Sequence, residues 1–249
     1  MLNKLRINKT GLKIIALISM TVDHFGCLFF PQIYIFRYIG RLAMPLFAYM
    51  IAEGCYYTKN RLKYFLSIFL LGSICFLVYL IVIKEIFINI LLVFSFSILL
   101  IYLYDYIIQL IKNKPNNIII KFTLSILIFL LIISIALFLA NSKILTNNNL
   151  KITMDYSIFG ILISFMSYLC FKNKWIRIIL FSLAVLLSSL YFELYEHSTN
   201  GQFYSMITIP ILLLYNEKKG KHNLKYFFYL YYPLHLVILY GIEMLINLF

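Results

Sequence analysis

Acidic residues are scarce in this chain: nine Asp and Glu stand against 22 Lys and Arg in 249 residues, a net charge of +13. Charge of either sign is sparse at 12% of residues, while 63% are hydrophobic and the mean hydropathy is +0.92. Soluble domains run nearer a quarter charged and half apolar, so a soluble globular fold is excluded and an integral membrane protein is implied. Cysteine is also rare. Cys27, Cys55, Cys75 and Cys170 are scattered in or beside apolar runs and form no C-x-x-C pair, which points to small packing residues rather than disulfides or metal ligation. The single Trp, beside abundant Ile, Lys, Asn and Tyr, fits a low-GC coding bias and carries no mechanism. No low-complexity linker or convincing internal repeat divides the chain, so one polytopic domain over 1–249 is expected. The basic residues fall in alternate loops between apolar runs, which argues against a nucleic-acid surface.

Nine apolar runs are long enough to approach a hydrocarbon core of roughly 30 Å. They cover about 12–30, 34–52, 62–83, 86–110, 118–140, 154–171, 176–193, 202–215 and 226–248. The eighth is short and holds Pro210, so it is expected tilted, broken or re-entrant, and the count ranges from eight to ten. The expected fold is an all-α membrane helix bundle. The first run is too long for a cleaved signal peptide and lacks a small-x-small cleavage site.

Basic residues favour cytoplasmic loops. Placing Lys4, Arg6, Lys9 and Lys13 inside also puts inside Lys59/Arg61/Lys63, Lys112/Lys114/Lys121, Lys172/Lys174/Arg177 and Lys218/Lys219/Lys221/Lys225, 17 of the 22 basic residues. The outer side keeps Lys84, Lys143, Lys151, Arg37 and Arg41. A multi-pass protein of the inner or plasma membrane, with a cytoplasmic N-terminus, is expected.

Ionisable groups at membrane depth are costly and mark function. Asp23 and His24 sit near the outer end of the first run, and Arg37 and Arg41 follow in the second. At about 1.5 Å per residue, His24 lies about 9 Å below the outer surface, Arg41 about 10 Å and Arg37 about 5 Å. Arg37 and Arg41 share one helix face. Asp23 and His24 point about 100° apart, so Asp23 pairs with an arginine rather than orienting His24. Snorkelling is the competing reading for both arginines. Further candidates are Asn89 and Asp155–Tyr156 at outer helix starts, Glu193, Glu196 and His197 at the end of the seventh run, His235 near the midplane of the last, and Glu53 near the inner end of the second. Asn89 and Asp155 are equally readable as helix caps, and Glu196 and His197 as solvated loop residues.

The segments LKIIALISMTVDHFG, RYIGRLAMPLFAYMIAEG and TKNRLKYF resemble the start of TraX family proteins, and PILLLYNEKKGKHNLKYFFYLYYPLHLVILY resembles their C-terminal region. The NILLVFS and MDYSIFG stretches are similar more weakly, and Glu217 stands where such proteins usually have glycine after Tyr-Asn. The resemblance implies a membrane acetyltransferase linked to pilin N-acetylation, with acetyl-CoA as acyl donor, no metal, and the lipid bilayer as its setting. The acceptor is left open between a pilin-like or secreted peptide, a glycan and a lipid. The resemblance implies His24 as the catalytic histidine and Arg37 and Arg41 as an arginine pair, spaced R-x-x-x-R here, with His235 a second typical polar position. Read with the physics, His24 is a general base or an acetyl carrier, Asp23 its neighbour in the site, and Arg37 or Arg41 an oxyanion stabiliser. Lys59, Arg61 and Lys63, or Lys218, Lys219 and Lys221, would hold the CoA phosphates. A transporter or flippase using Asp23, His24 and Arg41 as an ion or proton site is the rival, and a non-catalytic assembly factor the third option.

Overall fold

The computed structural model describes residues 6–140, 152–194, 201–220 and 225–246. In order, these form α1 (Lys9–Phe29), α2 (Tyr34–Gly40), α3 (Ala43–Tyr57), α4 (Arg61–Ile83), β1 (Ile86–Ile88), α5 (Ile90–Asn113), α6 (Ile118–Ala140), β2 (Ile152–Met154), α7 (Phe159–Leu169), α8 (Lys174–Leu194), a 3-10 helix (Gln202–Ile207), α9 (Thr208–Leu214) and α10 (Lys225–Ile246). Among the described residues, six helical segments are long and apolar enough to cross a membrane: α1, the α2–α3 pair, α4, α5, α6 and α8. Phe159–Leu169, Gln202–Leu214 and Leu230–Ile246 are shorter apolar helical segments at the remaining expected positions. The chain is a multi-pass helical membrane protein.

Local sequence explains most boundaries. Asn8, Asn60 and Asn89 cap α1, α4 and α5 by accepting from Gly11, Lys63, and Leu91 and Leu92 backbone N–H groups. Lys84 and Lys114 close α4 and α5 in the left-handed conformation. Pro31 and Pro115 follow helix ends, and Pro45 and Pro210 lie in first turns, where a missing N–H breaks no bond. Pro233 alone lies inside a helix.

Three expected spans are corrected. The second, 34–52, breaks after Gly40 and continues to Tyr57. The fourth, 86–110, begins at Ile90, because 86–88 form β1. The sixth, 154–171, is helical only from Phe159 to Leu169. Residues 152–154 pair in parallel with β1, and Tyr156 and Ser157 then turn with φ of 53° and 50°. The eighth, 202–215, is broken, one of the forms expected for it: a 3-10 turn followed by α9. The apolar pattern did not separate short apolar strands from helix, because both read as unbroken hydrophobic runs.

The chain divides into two compact units, 1–47 with 174–249, and 48–173. In the second, Ile88, Val93, Leu100, Ala136 and Ile161 form a buried core. In the first, Leu17, Met20 and Ala43 pack with Phe47, Tyr231 and Tyr232.

Close approach of α1 and α2 depends on two glycines. A Cβ at Gly26 would lie 2.1 Å from the Phe36 Cβ, and one at Gly40 would lie 2.1 Å from Asp23 Oδ1. Small residues at helix contacts are a general device of membrane bundles, where close packing replaces the hydrophobic drive. Gly241 on α10 has nothing within 4 Å of its absent side chain. Gly40→Ala is therefore expected to cost about 1–3 kcal/mol through overpacking. Gly241→Ala is expected to be neutral, or stabilising by up to about 1 kcal/mol through helix propensity. Thermal melting of the two variants in detergent, followed by size-exclusion fluorescence, checks the contrast.

Candidate functional site

Two faces of α1 carry polar groups, one towards α2 and one towards α10. On one, Asp23 and Cys27 stand one turn apart and face α2. Arg37 Nη1 donates to Asp23 Oδ2 at 2.9 Å and also to Cys27 Sγ. The Asp23 side chain is 13% exposed and that of Arg37 23%, so this is a largely desolvated ion pair. Such a pair holds because each charge has its partner; removing either would leave the other stranded. The second carboxylate oxygen, Asp23 Oδ1, is sealed from solvent without a hydrogen bond among the described residues. Asp23 also lies within the electrostatic reach of Arg41, which is buried at the end of α2. The arginine pair thus surrounds Asp23, with Arg37 making the direct bond.

The other face of α1 meets α10. His24 Nδ1 and His235 Nε2 are 2.8 Å apart, with the two rings stacked at 5.0 Å between centroids. One turn before each, Thr21 Oγ1 and the Tyr231 hydroxyl are 2.6 Å apart. Thr21 spends its one hydroxyl proton on Leu17 O, at 2.9 Å, so Tyr231 is the donor in that pair. The two contacts advance together along both helices, so α1 and α10 run parallel here. Tyr231 and Tyr232 border the His235 ring, Tyr231 in a near-parallel stack at 5.4 Å. His235 is 5% exposed, whereas His24 is only partly buried. The 2.8 Å gap is a hydrogen bond and leaves no room for a shared ion, whose bonds of about 2.0–2.1 Å would hold two nitrogens more than about 3 Å apart.

The remaining candidates have other surroundings. In the second unit, Asn89 is buried; its Oδ1 caps α5 and its Nδ2 donates to Gly72 O at 2.8 Å. Asp155 follows β2, where its backbone N–H extends the strand pairing to Ile88 O, and Tyr156 takes up the left-handed turn after it. Glu53 is fully buried on α3. Lys59 lies exposed in the bend before α4. Arg61 pairs with Asp105, which also accepts from the Tyr168 hydroxyl at 2.7 Å, and its guanidinium lies over the Tyr102 ring. Glu193 is the penultimate residue of α8; Glu196, His197, Lys143, Lys151 and Lys221 lie outside the described residues.

Sequence reasoning passed over Thr21, Tyr231 and Asp105, and treated Cys27 only as a packing residue. The first two carried a readable signal, since Thr21 precedes His24 by three and Tyr231 precedes His235 by four, the helical spacings that share a face. Asp105 carried one as well, being an ionisable residue inside an apolar run. Arg177 was counted only as an inner-loop charge. It is 1% exposed and forms an ion pair with Glu217.

A membrane helix bundle whose first and last described helices share a histidine pair, beside a desolvated carboxylate–guanidinium pair, is the class that fold and site define. The TraX protein family model matches residues 8–243, and the chain belongs to this family. Over 53 residues, 20% of this chain and 21% of the relative, it is 43% identical to an uncharacterized protein of Rickettsia prowazekii (strain Madrid E). Over 67 residues it is 34% identical to a probable fimbrial assembly protein of Dichelobacter nodosus, FimC of serogroup H1; this covers 25% of the chain and 28% of that protein. The matches thus span about a quarter of these curated relatives. No solved structure matches the chain significantly.

Glu217 occupies a left-handed backbone conformation with φ of 61°. Glycine adopts that conformation without strain, whereas a side chain there costs on the order of 1 kcal/mol. In this chain the side chain supplies a carboxylate to the buried Arg177. Glu217→Ala keeps the strain and loses the pair; Glu217→Gly loses the pair and relieves the strain. Melting temperatures are therefore expected to fall in the order wild type, Gly, Ala, with Ala lower in stability by about 1–3 kcal/mol after discounting for the partly exposed carboxylate.

Proposed function

We propose that this protein is a membrane-embedded acetyltransferase that moves an acetyl group from cytosolic acetyl-CoA to an amine or hydroxyl acceptor, with His24 as general base. The observation that carries this reading is the His24–His235 hydrogen bond beside the Asp23–Arg37 ion pair: a base held in a fixed orientation, and a guanidinium next to it. Membership of the TraX family supports the reaction class. The similarity to a probable fimbrial assembly protein supports a peptide acceptor of the pilin-like kind over a glycan or other acceptor.

In the transfer, the acceptor nitrogen or oxygen attacks the thioester carbon while His24 takes its proton. Arg37 or Arg41 meets the charge that develops on the carbonyl oxygen. The carbon–sulfur bond then breaks, and the CoA sulfur takes the proton back from His24 and leaves as the thiol. The exposed pair Lys218 and Lys219, in the same unit as His24, suits the CoA phosphates, whereas the Arg61 guanidinium, in the second unit, is engaged by Asp105. The parallel register of α1 and α10 supports an odd number of crossings, hence termini on opposite faces of the inner or plasma membrane. With the basic loops inside, the N-terminus is cytoplasmic.

The broken segment Gln202–Leu214 favours the transporter reading, since interrupted helices line transport sites. Detergent-purified protein separates the two. Wild type and His24→Ala are both expected to bind acetyl-CoA, and only wild type to hydrolyse it slowly, with a loss of about 100-fold or more in the variant. Absence of binding in both, with uptake driven by an ion gradient in vesicles, would place the cluster in a transporter instead.

A further inference from the structure

We infer that His235 is the positioning residue that selects which nitrogen of His24 reacts: Nδ1 of His24 is held protonated, and Nε2 is the proton acceptor. This inference rests on His24 acting as a base, but its structural content can be tested without any turnover.

The chain of hydrogen bonds has a forced direction. His235 Nδ1 lies 3.0 Å from the backbone oxygen of Tyr231. A carbonyl oxygen accepts and never donates, so Nδ1 of His235 carries a proton. In a neutral imidazole the other nitrogen is then a bare acceptor. That nitrogen is His235 Nε2, at 2.8 Å from His24 Nδ1. His24 Nδ1 must therefore donate, and the lone pair of His24 stands on Nε2. A doubly protonated His235 would reverse the middle bond. It would also place a cation on a ring that is 5% exposed, and no carboxylate hydrogen-bonds to it among the described residues.

The anchor of this chain is itself fixed. The Tyr231 hydroxyl donates to Thr21 on α1, and the Tyr231 ring stacks on His235 with planes 5° apart. Tyr231 thus sets both the height of α10 against α1 and the carbonyl that chooses the His235 tautomer. His24 Nε2 makes no hydrogen bond among the described residues and is not among the sealed polar atoms, so it is open to a substrate. When Nε2 takes a proton, His24 becomes an imidazolium whose Nδ1–H already has an acceptor. The charge is thereby met without a carboxylate partner. The arrangement performs the task that a carboxylate performs for a base histidine elsewhere, with a backbone carbonyl at the far end.

Solid-state NMR of 15N-histidine-labelled protein in lipid bilayers reads the tautomer. A His197→Gln/His222→Gln background leaves only the two histidines of the pair. His24 is expected to be neutral with Nδ1–H, the minority form of imidazole in water. In His235→Leu it should revert to Nε2–H, and turnover should fall about 100-fold or more. His235→Gln presents an amide oxygen near the position of Nε2, so it should restore the Nδ1–H form and bring turnover within about tenfold of wild type. An Nε2–H His24 in the wild type, or an Nδ1–H form that survives His235→Leu, overturns the inference. Should His235→Leu fail to fold, the wild-type and His235→Gln spectra still decide. An Nδ1–H His24 in a protein that neither binds nor hydrolyses acetyl-CoA leaves the tautomer assignment standing and overturns the acetyltransfer reading.

Discussion

The hydrogen bond between His24 and His235 exists only because α1 and α10 lie side by side in parallel register, and much of the first unit serves that register. In hydrocarbon a polar side chain has no water to fall back on, so its partner must come from another part of the chain. Thr21 and Tyr231 supply one such contact and the two histidines the next, one helical turn further along. Leu17, Met20 and Ala43 fill the space beside them with Tyr231 and Tyr232. The histidine pair thereby depends on helix packing, and the packing on pairs of polar groups that satisfy each other.

The same constraint shapes the α1–α2 contact. Asp23 and Arg37 are both mostly removed from solvent, and neither charge is tolerable without the other. Gly40 gives the carboxylate its room, and Gly26 lets the helices approach near Phe36. Two faces of α1 about 100° apart thus carry two different jobs: an ion pair that is electrostatically fixed, and an imidazole whose orientation comes from a hydrogen-bond chain. This division is why Asp23 is not the residue that orients His24, although it is its immediate neighbour.

In the second unit, polar groups hold the backbone together. Asn89 caps α5 and ties it to Gly72, whose lack of a side chain lets the α4 backbone come close to Leu91 and Leu92. Asp105 gathers Arg61 and Tyr168. In the first unit, Glu217 accepts the strain of a left-handed position and supplies a counter-charge to the buried Arg177.

Hydropathy and charge patterning, which are local and additive, were enough to determine that this is a multi-pass helical membrane protein. They also located its apolar segments and marked Asp23, His24, Arg37 and Arg41 as one neighbourhood, because an ionisable residue in an apolar run is visible in the sequence itself. The 100° step between Asp23 and His24, and with it the pairing of Asp23 to an arginine, was also legible from helix geometry alone. What only the tertiary structure decided was the partner of His24. His235 lies 211 positions away, and no periodicity links residues so far apart. The short strands at 86–88 and 152–154 were hidden for a related reason, since a short apolar strand reads like a helix until its partner is known. Side-chain chemistry and helical spacing are written along the chain, but the choice of which two faces meet is made by packing, and here that choice sets which atom of His24 is left open.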